Sequence, residues 1–151
     1  DVSSVVNMSG MFNDATVFDQ DISSWNVSSV NNTQYMFKDA SVFNQNIGSW
    51  NVSSVTDMRE MFNNATAFNQ NISSWDVSNV TYMDSMFSNS GMSSINYGLF
   101  LERCYALATT TGVQSNVALG AGSIQYPANA ATARNYLTGT KGWTISDGGQ
   151  V

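Results

Sequence analysis

The chain has 151 residues, 42% of them apolar and 11% charged, with a formal net charge of −6. That is the length of one ordinary domain with enough apolar mass for a core, and a surface that must be largely neutral and hydrogen-bonding, because charged residues fall well below the usual quarter. The cations Lys38, Arg59, Arg103, Arg134 and Lys141 are scattered, so there is no basic stripe for nucleic acid or anionic lipid, and no apolar run reaches the roughly 18 residues of a membrane span.

The start, Asp1-Val2-Ser3, has no signal-peptide pattern. Asp1 stands where Asn26, Asn51 and Asp76 stand in later units. The chain therefore opens in mid-unit and reads as a piece of a longer array.

Shifting the sequence by 25 places superimposes Val2, Val27, Val52 and Val77, then Val5, Val30, Val55 and Val80, then Met11-Phe12, Met36-Phe37, Met61-Phe62 and Met86-Phe87. Phe18, Phe43 and Phe68 follow, then Ile22, Ile47 and Ile72, then Trp25, Trp50 and Trp75. The matched positions are large and apolar, while Ser9, Gln34, Arg59 and Asp84 at one shared position differ in size and charge. Core positions repeat and surface positions vary.

Within a unit, Ile47-Gly-Ser-Trp50-Asn-Val52-Ser-Ser-Val55 has the apolar spacing of a leucine-rich repeat with bulkier residues. Trp-x-Val is predicted as a short strand. Val55, Met58, Met61, Phe62 and Ala65 then recur at three- and four-residue steps, which predicts a helix starting near Ser53 or Thr56 and turned back by Asn63-Asn64-Ala65-Thr66. The expected fold is an α/β solenoid, a leucine-rich-repeat-like right-handed coil with a parallel sheet on one face, short helices on the other and an α/β C-terminal cap.

The array is expected to span residues 1–90, as about three and a half units, and the cap residues 91–151. Past Phe87 the pattern lapses: Ser93 replaces the repeat Phe and Phe100 stands where Trp is due, inside a helix predicted from about Asn96 to Ala108. Cys104, the only cysteine, falls on that helix with Phe100 and Leu107 and reads as core. Val117-Ala-Leu119 and Trp143-Thr-Ile145 predict two strands extending the same sheet, and Pro127 opens a helix through Ala133 to Leu137.

Trp50 to Ile72, reading Trp-Asn-Val-Ser-Ser-Val-Thr-x-Met-x-x-Met-Phe-x-x-Ala-x-x-Phe-Asn-Gln-x-Ile, resembles the repeat of the BspA-like leucine-rich-repeat surface proteins. The tail resembles that family's ending through Gly91-Met-Ser, Asn96-Tyr97, Ala133-Arg134 and Gly142-Trp-Thr-Ile-Ser-Asp-Gly-Gly149. The resemblance implies an extracellular or cell-surface protein concerned with adhesion, and it supplies no catalytic motif.

If Trp25 and Val27 point inward, their neighbours point outward. Ser24, Asn26, Ser28, Ser49, Asn51, Ser53, Ser74, Asp76 and Ser78 then form one polar face, the expected ligand-binding surface for a glycan or protein. Tyr35, Arg59 and Tyr82 on the helical side are the alternative contact, because Tyr and Arg favour protein interfaces. A plainer reading makes the Ser and Asn residues caps, turns and stacked amides, with Gln20, Gln45 and Gln70 as a ladder, and the chain a structural spacer or stalk. The sequons at Asn7, Asn26, Asn31, Asn51, Asn64, Asn71 and Asn79 arise largely from the repeat itself.

Catalysis is poorly provisioned: there is no His, a single Cys, no phosphate loop and no zinc spacing. Asp14, Asp19 and Asp21 offer an alternative as calcium ligands, although Asn44 and Asn46 replace the last two in the next unit. The sequence thus predicts a non-enzymatic binding or adhesion module with no cofactor, no nucleic-acid partner and no membrane insertion, and a first-unit edge open to pairing between chains.

Overall fold

The computed structural model describes all residues, Asp1 to Val151. Its regular elements are helix α1 (Ser94–Thr109), strand β1 (Ala118–Gly120), a turn of 3-10 helix (Ala128–Ala130), helix α2 (Ala131–Gly139) and strand β2 (Thr144–Ser146). None of these helices is long and apolar enough to cross a membrane.

The expected α/β solenoid does not form. Helix and strand are confined to residues 94–146, the only sheet is the parallel pair β1–β2, and residues 1–93 are turns and loops joined by isolated bridges. Neither the Trp-x-Val strand nor the helix after it is present.

The missing helix has a local cause. Glu60 and Asn64 adopt left-handed backbone (φ 52 and 59), as do Tyr35, Asp39, Ser85, Asn89 and, in the first unit, Gly10 and Asp14. A right-handed helix cannot pass through such residues, and Asn, Asp and Gly tolerate the conformation best. The chain instead makes successive turns, Met61 N–H to the Met58 carbonyl, Asn63 to Glu60 and Ala65 to Phe62. Apolar residues three apart on such turns mimic the helical stripe.

Alternate N–H groups leave the unit. Met58, Glu60, Phe62 and Asn64 donate to the carbonyls of Tyr82, Asp84, Met86 and Ser88 at 2.8–2.9 Å, and the preceding pairs of units repeat this. The parallel bridges Asn7–Asn32, Asn32–Asp57 and Asp57–Tyr82 lie on this ladder. Inter-unit backbone pairing therefore runs along the segment read as helix.

The core follows the repeat. Phe12, Phe37, Phe62 and Phe87 stack with ring centroids 5.5–6.0 Å apart, and Phe18, Phe43 and Phe68 at 6.0–6.1 Å. Trp50 and Trp75 are buried and donate their indole N–H to the carbonyls of Ile22 and Ile47 in the unit before. Offset-parallel rings add attraction beyond the area they bury.

The C-terminal part closes over the fourth unit. Tyr97 and Phe100 of α1 meet Phe87 edge-on, Met83 bridges to Leu119, and Phe87 N–H donates to the Gly120 carbonyl. The strands come one residue later than the spacing predicted, and α1 begins earlier, where the Ser93 hydroxyl caps it by accepting from Asn96 N–H. Cys104, Phe100 and Leu107 are buried as expected. Gly98 lets α1 approach Pro127, whose ring carbons would stand 2.7 Å from an added Cβ.

Candidate ligand-binding surface

The polar face is built from turns. Asn26 Oδ1 accepts from the backbone N–H (3.2 Å) and hydroxyl (2.7 Å) of Ser28, Asn51 treats Ser53 identically, and Asp76 accepts from Ser78 N–H at 3.0 Å. These side chains mimic a backbone turn two residues ahead. Pleat alternation does not place them; the turn does.

Part of the row's hydrogen-bonding capacity holds units together. Ser29, Ser54 and Asn79 donate to the carbonyls of Ser3, Ser28 and Ser53, Ser49 to Ser23, and Ser74 to Gly48. Ser24, Ser49 and Ser74 are exposed, whereas Ser28, Ser53 and Ser78 are half-buried.

At the second and third units the face dips into a groove of about 510 Å³ lined by Asn46, Gly48, Ser49, Asn51, Ser74 and Asp76, with Trp50 and Val52 below. Four of the nine predicted residues converge there, while Ser24, Asn26, Ser28, Ser53 and Ser78 do not line it. Gly48 stands where the neighbouring units carry Ser23 and Ser73. A Cβ at Gly48 would lie 2.7 Å from the Asn71 carbonyl oxygen, so the two backbones come close at this point.

Asp76 is the groove's only formal charge. Hydrogen bonding from the Ser78 side chain, with smaller help from the Ser78 backbone and Arg103, holds its carboxyl below the usual range against partial desolvation. Arg103 itself donates Nε to the Trp75 carbonyl oxygen at 2.9 Å.

The alternative residues also come together, on the turn ladder rather than on helices. Arg59 lies 4.9 Å from the Tyr82 ring centroid and pairs with Asp57; Lys38 lies 5.3 Å from the Tyr35 ring and 2.7 Å from Glu60. Donating to the carboxylates of Asp57 and Glu60 raises the Arg59 and Lys38 pKa values, so both remain charged. A second groove, of about 500 Å³, is lined by Gly10, Asn13, Asp14, Tyr35, Lys38 and Asp39.

The calcium set is not assembled, because no group of three or more acidic, His or Cys side chains gathers anywhere. Asp19 Oδ1 accepts from Asn44 N–H, Asp21 Oδ1 from Ser23 N–H, and Asp14 Oδ2 from Asn13. The Asp19 column is a rung system: Asn69 N–H donates to Asn44 Oδ1, and Gln45 and Gln70 reach the carbonyls of Asp19 and Asn44. The glutamines bond to the preceding unit's backbone rather than to one another.

Sequence reasoning missed one ionic cluster. Arg134 on α2 donates to both oxygens of Asp147, whose side chain is 1% exposed, and the Tyr97 hydroxyl of α1 donates to the same carboxylate at 3.1 Å. Burial drives the Tyr97 pKa up, so it stays a phenol donor. The three residues lie in the separate tail stretches Asn96-Tyr97, Ala133-Arg134 and Gly142 to Gly149, which the resemblance singled out without indicating that they meet.

Stacked 25-residue units built of turns and joined by isolated parallel bridges mark the chain as a repeat protein. The chain belongs to the family described as Mycoplasma protein of unknown function, DUF285, whose pattern matches residues 1–98. This match identifies a repeat family without identifying a leucine-rich repeat. No curated protein matches, and no solved structure does.

Proposed function

We propose that the chain is a non-enzymatic binding or adhesion module, extracellular or displayed on a cell surface, that recognises a glycan or protein through its row of Asx turns. The groove at Ser49, Asn51, Ser74 and Asp76 carries this reading, since it joins residues of adjacent units in one concave polar surface. The resemblance of Trp50–Ile72 to BspA-like surface proteins supports the location. The lack of His and the burial of Cys104, whose thiol is pushed up by desolvation, support a non-catalytic role. The net charge of −6 argues against nucleic acid as a partner.

A glycan and surface-protein array tests the proposal, comparing the natural chain with one in which Ser24, Asn26, Ser49, Asn51, Ser74 and Asp76 are all Ala. Saturable binding lost in the folded variant is the expected result. Absence of binding by the natural chain would favour the second reading, a structural spacer in a larger surface protein. The hydroxyls of Ser29, Ser49, Ser54 and Ser74, engaged in joining units, support that reading.

A further inference from the structure

Resting on the binding reading, the groove's donor and acceptor inventory narrows the ligand class. Asn46 Oδ1 accepts from Gly48 N–H at 3.0 Å, and Asn51 Oδ1 from Ser53. A backbone N–H can face only the amide oxygen, so both Nδ2 groups must turn the other way. Neither Nδ2 has a protein partner, and both residues are exposed. Two amides thus offer unclaimed donors at the rim.

The acceptors stand beside them. Ser49 and Ser74 already donate their hydroxyl protons to backbone carbonyls, which leaves their oxygens as acceptors toward the groove. Asp76, in place of the Asn found at 26 and 51, adds a carboxylate. No cation lines the groove, and Arg103, which acts on Asp76, is engaged with the Trp75 carbonyl.

Paired donors and acceptors suit a group that both gives and takes hydrogen bonds at adjacent positions, as vicinal hydroxyls do. With Asp76 the only charge lining the groove and Arg103 acting on it from outside that lining, the groove offers an anionic ligand no cation to pair with directly. Its volume, about 510 Å³, lies within the roughly 300–1,000 Å³ range of small-ligand sites. We infer that the groove between the second and third units is a subsite for a neutral saccharide, with a vicinal diol set between the Asn46 and Asn51 amides and the Asp76 carboxylate.

The test is binding of the full chain to immobilised neutral hexose oligosaccharides and to matched uronic-acid oligosaccharides, for the natural protein, Asp76→Asn and Asn51→Asp. Both substitutions install residues this turn already carries in other units, so folding is preserved, and circular dichroism checks it. Preferential binding of neutral sugars, weakened at least about fivefold by either change, is expected; fivefold is about 1 kcal/mol. Unchanged binding by Asp76→Asn, or preference for the acidic sugars, would overturn the subsite. If the sixfold Ala variant loses a ligand that Asp76→Asn retains, or if only a protein binds, the inference falls while the binding reading stands. If nothing binds the natural chain, both fall.

Discussion

The first and third units have nearly the same apolar pattern and very different interiors. Val52, Val55, Met61, Phe62, Phe68 and Trp75 are 0–1% exposed. Their counterparts Val2, Val5, Phe12, Phe18 and Trp25 are only partly buried, and Met11 is 47% exposed. Within residues 1–151 the third unit is packed by the second and the fourth, and the first by the second; the carbonyls of Asn7, Ser9, Met11 and Asn13 accept no backbone hydrogen bond from these residues. One unit's sequence therefore supplies half a core, and the adjoining unit supplies the other half.

The sharpest way to break this comparison is truncation of the same ring in both units. Phe62→Ala should cost about 3–5 kcal/mol and Phe12→Ala only about 1–2 kcal/mol, the smaller transfer term of a half-buried ring. Urea denaturation of the 151-residue chain measures both. Equal losses would mean that burial by neighbours does not set unit stability.

The downstream end extends the comparison, because α1 and β1 cover the fourth unit with side chains and backbone that are not part of the repeat. Asp147 joins α1 to α2 through Tyr97 and Arg134, so Asp147→Asn should cost about 3 kcal/mol by stranding a part-buried guanidinium. Hydrogen exchange should rise at Phe87 N–H, which donates to Gly120. Loss of stability with Phe87 fully protected would separate the cluster from that cover.

The smallest effect concerns the left-handed turn position. The first unit has Gly10 there at φ 65, and later units have Tyr35, Glu60 and Ser85 at φ 59, 52 and 52. Gly10→Ala should destabilise by about 1 kcal/mol and Ser85→Gly should stabilise by a similar amount, since only the side-chain-bearing residue pays for the conformation. An added Cβ at Gly10 meets nothing closer than 3.9 Å, which isolates the backbone cost. Thermal melts of the two variants moving in the same direction would contradict this assignment.

The 25-residue period, the inward-facing Phe, Met, Val and Trp positions and α1 were legible because burial and helix-forming runs leave local marks. The turns were not, because Met58, Met61, Phe62 and Ala65 have the spacing of a helix whichever way the backbone between them folds. The left-handed Glu60 decides against it, and Glu carries no sign of that conformation. At the candidate surface, Ser49, Asn51, Ser74 and Asp76 were legible as outward polar residues. Asn46 and Gly48 were missed because the groove depends on where two units approach.

Residue chemistry by itself determined that the chain is a repeat, which side chains form its core, and that its surface is neutral and rich in hydrogen-bonding groups. Only the tertiary structure decided that the units are turns rather than strands and helices, and which amides and hydroxyls remain free. The physical reason is that a backbone N–H at Met58 or Phe62 gains as good a partner in the next unit as in its own, and that choice depends on the carbonyls of Tyr82 and Met86, each 24 residues away.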